Sequence, residues 1–248
     1  MANIERSNVF LTGAAGGIGA CFVKALLDRG VRRIYAADLA VERIRVPNED
    51  DRVTLIELDI TDEDAVFGAA KKAGDANILI NNAGVNLRSP FLAAPTMASA
   101  RREMEVNFFG TLAMCRAFAP LLRSQAAQGA AIINMLSILA KITLPNLGSY
   151  CATKAALLRL TEGVRAELAP EGVQVLAAMP WAVDTVMSGL FPGKKTPPDV
   201  VANGVLDAVE RGDEDIYFHS FSEEINTALR TDPKGLEHSL AGQFRQAK

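Results

Sequence analysis

Apolar residues fall in short runs separated by longer amphipathic stretches. Residues 8–12, 33–37, 53–57, 77–80, 130–135, 173–178 and 215–218 are runs of four to six residues, mostly apolar and bounded by polar or glycine-containing segments. Runs of that length predict buried strands. Between them the apolar spacing becomes helical. From about Gly17 to Arg29 it sets Cys21, Phe22, Ala25 and Leu26 on one face, and helical patterns recur after Thr61 and over 99–122, 150–168 and 198–211. Thr61 reads as a helix N-cap with Asp64 at the box position, and Pro170 and Gly172 close the helix that starts at Tyr150. Strands alternating with helices imply crossover connections and a parallel sheet of about seven strands, doubly wound with helices on both faces. No internal repeat, low-complexity tract or linker interrupts the rhythm, so residues 1–248 read as one α/β domain. Residues 186–197 carry Gly189, Pro192, Gly193, Lys194 and Lys195 without a period. They read either as a mobile loop over a site or as an ordinary surface connection. After the last strand comes a polar helical tail.

Composition narrows the functional classes. With 49% hydrophobic and 22% charged residues, the 248-residue chain can bury a large core. Lys and Arg total 26 against 29 Asp and Glu, the net charge is −3, and the cations are scattered, which argues against nucleic-acid binding. No apolar run is long enough to span a membrane. Residues 1–6 lack a basic segment leading into an apolar one, so no secretory signal is expected. Cys21, Cys115 and Cys151 form no CxxC pair and no disulfide framework, which fits a reducing, cytoplasmic location. Cys151 reads as a small buried apolar residue rather than a nucleophile. His219 and His238 have no cysteines at ligand spacing, so no metal site is expected.

Candidate chemistry begins between the first strand and first helix, at Thr12-Gly13-Ala14-Ala15-Gly16-Gly17-Ile18-Gly19. Gly13, Gly17 and Gly19 allow a tight turn and close backbone approach, and the helix N-terminus beyond offers free N–H groups to a pyrophosphate. Asp38 ends the second strand, where a carboxylate accepts hydrogen bonds from an adenosine ribose. Together they predict a dinucleotide site. Asp38 also favours NAD(H) and disfavours NADP(H): a 2′-phosphate at about 4 Å is repelled by roughly 4 kcal/mol per unit charge at an effective dielectric of about 20. Arg43 is the nearest downstream cation that could offset it.

Tyr150 and Lys154 are four residues apart on a predicted helix and share a face. A neighbouring ammonium favours the phenolate, and lowering a tyrosine pKa from about 10 by two or three units takes roughly 3–4 kcal/mol. Such a tyrosine serves as a general acid/base toward an alcohol or carbonyl.

With these residues the chain resembles the short-chain dehydrogenase/reductases, in their single-domain branch of about 250 residues. Thr12-Gly13-x-x-x-Gly17-Ile18-Gly19 matches the family's cofactor motif, and Asp59-Ile60 its acidic position after the third strand. Asn81-Asn82-Ala83-Gly84 matches the motif after the fourth strand, and Asn107, Ser137, Tyr150 and Lys154 match the catalytic tetrad. The match runs over about residues 8–185. It implies a Rossmann-type fold, with a cofactor half over about 8–110 and a catalytic and substrate half over about 111–248. The resemblance further implies that Tyr150 exchanges a proton with the substrate oxygen and that Ser137 positions that oxygen. Lys154 would lower the Tyr150 pKa and bind the nicotinamide ribose. Asn107 would hold a relay water through its main-chain carbonyl in a bent helix. Asp59 and Ile60 would meet the adenine, Asn82, Ala83 and Gly84 would line the cleft, and Pro180, Val183 and Thr185 would meet the carboxamide.

Two departures stand out. Trp181 replaces the glycine usual after Pro180, and its ring must pack on protein, substrate or nicotinamide. The C-terminus lacks the glycine turns common near the family's dimer contact. The expected activity is an NAD(H)-dependent oxidoreductase acting on a CH–OH group and interconverting a secondary alcohol and a ketone. Alternatives are a catalytically silent NAD(H)-sensing binding protein and an isomerase or lyase on the same scaffold. Leu139, Leu144, Leu147, Trp181, Met187, Leu190 and Phe191 are the expected substrate pocket, and they suit a bulky apolar or aromatic substrate. The resemblance also implies a homodimer or homotetramer built on the 99–122 and 150–168 helices, with Ala113, Ala117, Ala152, Ala155, Ala156 and Leu160 among the residues offered to a partner.

Overall fold

A computed structural model of the chain describes residues 2–189, 191 and 193–246. Seven parallel strands form one sheet: β1 (Asn8–Thr12), β2 (Arg33–Asp38), β3 (Val53–Glu57), β4 (Ile78–Asn81), β5 (Ala131–Met135), β6 (Gln174–Pro180) and β7 (Asp215–Phe218). Their order is β3-β2-β1-β4-β5-β6-β7. This is the doubly wound, Rossmann-like sheet that the alternation predicts. β6 runs two residues past its apolar core because its ladder with β7 continues through Met179–Tyr217 and Pro180–Phe218.

Side chains alternate across the sheet with period two. Val9 and Leu11 of β1 and Ile78 and Ile80 of β4 enter one core, with α1 (Gly17–Asp28) and α6 (Pro198–Arg211) above them. Phe10 and Leu79 enter the other, beneath α2 (Glu63–Lys72), α4 (Thr111–Ser124) and α5 (Gly148–Leu168). The strand order reverses between β1 and β4, and a crevice opens beyond their C-terminal ends.

Three local expectations are corrected. Asp62, not Thr61, caps α2, its side chain accepting from the Ala65 N–H at 3.0 Å. Thr61 is already held by Asp59, which accepts from its N–H at 2.9 Å and its hydroxyl at 2.7 Å. The stretch 99–122 is not one regular helix: α3 (Ala98–Met104) passes through a π-helical turn, Glu105–Gly110, into α4. Gly110 is packed there against Ile60, whose Cδ1 lies 2.8 Å from where a β-carbon would stand. A π-turn is frequent at functional sites. Ala113 and Ala117 are buried in the chain's own core and are not offered to a partner; Ala155 is exposed.

After β7 two further helices, α7 (Ser220–Thr231) and α8 (Pro233–Gln246), fold back over the sheet's C-terminal end. Ile225 and Leu240 pack there with Ile138, Leu139, Ile142, Tyr150 and Cys151. The 186–197 stretch is anchored at its base by a bridge between Val183 and Thr196. Val186 and Met187 lie against the crevice, which places this loop over the site. No helix among the described residues is long and apolar enough to cross a membrane.

Candidate active site

The crevice is a cleft of about 520 Å³, within the range of sites that enclose whole ligands. Its floor is made where the chain leaves β1 and β4. Gly13 has φ +68°, and a β-carbon there would stand 2.8 Å from Ala83 Cα, so only glycine lets the two loops touch. The Thr12 hydroxyl oxygen accepts from the N–H groups of Asn82 and Ala83, both at 3.1 Å. The Asn82 amide donates to the carbonyls of Thr12 at 3.1 Å and Gly13 at 3.0 Å. Asn82 therefore stitches the loops together as well as lining the cleft. Asn81 points into the core, its amide donating to Asn134 Oδ1 at 2.9 Å.

Gly17 and Ile18 line the cleft where α1 begins, and Gly19 packs against the Gly13 carbonyl behind them. No side chain caps α1 at Gly16, so the first-turn N–H groups remain for a ligand. Asp38 lines the same cleft. Its Oδ2 accepts from the Ala15 N–H at 3.0 Å and its Oδ1 from the Ala40 N–H at 3.1 Å, which fastens the glycine loop to the end of β2. Asp59 and Ile60 line the cleft beyond Asp38, as does Arg43. This glycine cradle, with an uncapped helix end and a carboxylate beside it, fits a dinucleotide.

The other end of the cleft holds Tyr150 and Lys154 from the first turns of α5, with Pro180, Thr185 and Gly84 around them. Lys154 Nζ donates to the Met135 carbonyl at 2.8 Å and stands 5.6 Å from the Tyr150 ring centroid. Burial lowers its pKa to about 8. The Tyr150 phenol moves the opposite way from the expectation. Burial pushes it above its ordinary value, with smaller contributions of the same sign from Cys151 and Glu103. The ammonium does not overcome that desolvation. The Ser137 hydroxyl faces the Pro180 carbonyl at 3.3 Å and accepts from the Leu139 N–H at 3.2 Å.

Asn107 lies in the π-turn. Its side chain accepts from the Val85 N–H at 2.8 Å and donates to the Val85 carbonyl at 2.9 Å and the Thr153 hydroxyl at 3.0 Å. Its main-chain carbonyl, expected to face a water, accepts the Thr111 hydroxyl at 3.0 Å. A β-carbon on Gly84 would meet Asn107 Oδ1 at 3.1 Å and Lys154 Nζ at 3.8 Å, so these three groups converge.

The expected substrate residues divide. Leu139, Leu144, Leu147 and Trp181 gather with Tyr150 in one apolar cluster. The Trp181 indole packs on protein, its ring centroid 4.4 Å from that of Phe221 and 5.1 Å from that of Phe191. Met187 lines the cleft, and Leu190 lies outside the described residues. Val183 is buried in the bridge to Thr196 and does not reach the cleft wall. Sequence reasoning missed the contribution of α7 and α8. Its signal was present in the four-residue spacing of Phe221, Ile225 and Leu229 and of Leu236 and Leu240. It also missed Glu103 and the left-handed Arg88 (φ 54°), whose guanidinium donates to the Met187 carbonyl at 3.1 Å. Cys115 and Cys151 are buried thiols, both raised in pKa by burial. No group of three metal-ligating side chains occurs among the described residues.

The sequence pattern of the short chain dehydrogenase family matches residues 7–194. The chain is a short-chain dehydrogenase. Among its relatives is a short-chain dehydrogenase of Penicillium crustosum, 39% identical over 79% of this chain and 72% of that one. A cis-4-hydroxycyclohexanecarboxylate dehydrogenase of Sinomonas cyclohexanicum is 33% identical over 73% of this chain and 75% of its own. A crystal structure of a short chain dehydrogenase from Burkholderia cenocepacia, in complex with NADP, superposes with a TM-score of 0.91 at 44% identity, covering 97% of this chain and 99% of that one. In this dehydrogenase the family match includes every residue of the tetrad and stops before α6, α7 and α8.

Proposed function

We propose that this dehydrogenase interconverts a secondary alcohol and a ketone with NAD(H), and that Tyr150 moves the proton. The observation that carries the reading is the single cleft that joins the glycine loop and Asp38 at one end to Tyr150 and Lys154 at the other. The dinucleotide, when bound, supplies or accepts the hydride. The chain's part is to hold and protonate. The first turn of α1 and the loop at Gly13 receive the pyrophosphate, Asp38 the adenosine ribose, and Asp59 and Ile60 the adenine. Lys154 holds the second ribose, and Pro180 and Thr185 form the wall beside the nicotinamide. Ser137 orients the substrate oxygen, Tyr150 gives or takes its proton, and Asn107 stands behind Lys154 in the proton path. The apolar cluster around Tyr150 supports a bulky apolar or ring-bearing substrate, as does the cyclohexane ring in the name of the Sinomonas relative. NADH or NADPH consumption against a panel of ring ketones tests the assignment, and no turnover of any member overturns it.

A second cofactor reading has specific support. Arg43 lines the cleft on the same side as Asp38, and the Burkholderia structure holds NADP. We expect wild type to prefer NADH, and Asp38→Ala to weaken NADH by roughly 10- to 150-fold, as the loss of a charge-assisted hydrogen bond does. NADPH should be weakened less. Because Asp38 also fastens the glycine loop, both cofactors lose some binding, and the ratio of kcat/KM values is the quantity that discriminates. A wild-type preference for NADPH that Arg43→Ala removes would assign Arg43 to the 2′-phosphate instead.

Assembly is a further part of the proposal. Ala155 and Phe109 are exposed, and Leu112, Ala152, Ala156 and Leu160 are partly so, along α4, the π-turn and α5. An apolar face of this kind is costly to leave in water. Light scattering at micromolar concentration should give a dimer or tetramer, and a monomer would refute this.

A further inference from the structure

Trp181 is the chain's one tryptophan, and it stands where the chain leaves β6. Pro180, just before it, lines the cleft, and the Pro180 carbonyl faces the Ser137 hydroxyl at 3.3 Å. Thr185, Val186 and Met187, just after it, line the cleft as well. The indole between these segments is only partly buried, and it packs in the same apolar cluster as Tyr150, Leu139, Leu144 and Leu147. It therefore belongs to the end of the cleft that holds Tyr150, not the end that holds Asp38.

Two other rings grip the indole. Phe221, in the first turn of α7, meets it at 46° between planes, and Phe191, from the loop over the cleft, meets it edge-on at 89°. Both partners are fixed through their main chain. The Phe221 N–H donates to His219 Nδ1 at 3.2 Å, and the Phe191 N–H donates to the Ser188 carbonyl at 2.8 Å. The Ser188 hydroxyl in turn donates to the Val183 carbonyl. At the base of the loop the Thr196 N–H donates to the Ala182 carbonyl at 2.8 Å, and the Asp184 N–H to the Thr196 carbonyl at 2.9 Å. An indole held this way is a stiff apolar wall, and turning it aside breaks two aromatic contacts at once.

We propose that Trp181 is a specificity-determining residue: clamped between Phe191 and Phe221, its indole closes the substrate end of the cleft and limits how far an apolar substituent extends beyond the reacting ring. The inference rests on the assignment of this cleft to alcohol–ketone interconversion. In an apolar pocket each added methylene gains by leaving water. That gain stops where the chain meets the indole, because one more carbon must then displace a packed ring, and overfilling a close-packed site is unfavourable. The substrate class that fits is a compact ring ketone or ring alcohol with a short apolar substituent, not a long-chain one.

Cyclohexanones carrying a straight alkyl chain opposite the carbonyl, from methyl to pentyl, read the limit. With wild type, kcat/KM should rise over the first carbons and then fall at a fixed chain length. In Trp181→Ala the fall should move to longer chains. The ratio of kcat/KM for the pentyl to the methyl compound should rise by roughly 10- to 200-fold, the range that one methylene is worth in an apolar pocket. Trp181→Phe keeps a ring against Phe221, and it should move the fall in the same direction by fewer carbons. That variant carries the test should Trp181→Ala fail to fold. As the sole tryptophan, Trp181 also reports on its own surroundings without turnover. Titrating the methyl compound into enzyme saturated with oxidised cofactor, a pair that cannot react, should shift its emission. An emission shift with no ketone reduced would sink the proposed reaction and leave Trp181 at a ligand site. Ketone reduction with the same chain-length profile in wild type and both variants would overturn the role given to Trp181.

Discussion

Tyr150→Phe should lower turnover by about 10²- to 10⁴-fold, the usual contribution of a positioned acid/base, while NADH binding stays within about twofold of wild type. The benzene ring still fills the buried site at the start of α5. Lys154 keeps its bond to the Met135 carbonyl, and the glycine loop at the far end of the cleft is untouched. Only the phenolic hydroxyl is removed. Single-turnover kinetics with fluorescence titration of NADH separate the two quantities. Near-normal turnover in this variant would mean that another group supplies the proton.

The largest effect on stability should come from Phe118. It is fully buried on α4 and meets Phe10 of β1 with ring centroids 4.7 Å apart and planes at 56°. Phe118→Ala removes that aromatic contact and opens a cavity between helix and sheet. The expected cost is about 3–5 kcal/mol. For a chain of this length that lowers the melting temperature by roughly 6–20 °C. Phe67→Ala is the control. Phe67 is 48% exposed on α2, and its loss should change stability by no more than about 0.5 kcal/mol. Calorimetry on the two variants reads the contrast, and equal melting temperatures would mean that the core relaxes around position 118.

The sheet was legible in the sequence because buried parallel strands have few ways to be written. Val9 and Leu11 enter one core and Phe10 the other, and each must be apolar whichever face it takes. The cleft was legible for a similar reason, since Gly13 and Asp38 meet demands of backbone and charge that few other residues satisfy. Features set by competition between neighbours were not. Thr61 looks like a cap until Asp59 claims it. Residues 105–110 carry an ordinary helical pattern, and nothing in it announces the π-turn that Gly110 makes against Ile60. Glu103 sits in the run Arg101-Arg102-Glu103-Met104-Glu105, which reads as a solvated charged face, and its burial depends on partners from Leu87 and Ser149, distant in the chain. The rise in the Tyr150 pKa escaped as well: Lys154 is visible four residues on, but the apolar wall around Tyr150 is built partly by α7 and α8.

Among the described residues, no hydrogen bond of Asn107, Ser137 or Lys154 reaches α7 or α8, whose Ile225 and Leu240 share an apolar cluster with Tyr150. Substitutions confined to α7 and α8 therefore act on Tyr150 through the apolar packing that desolvates it and not through a hydrogen bond.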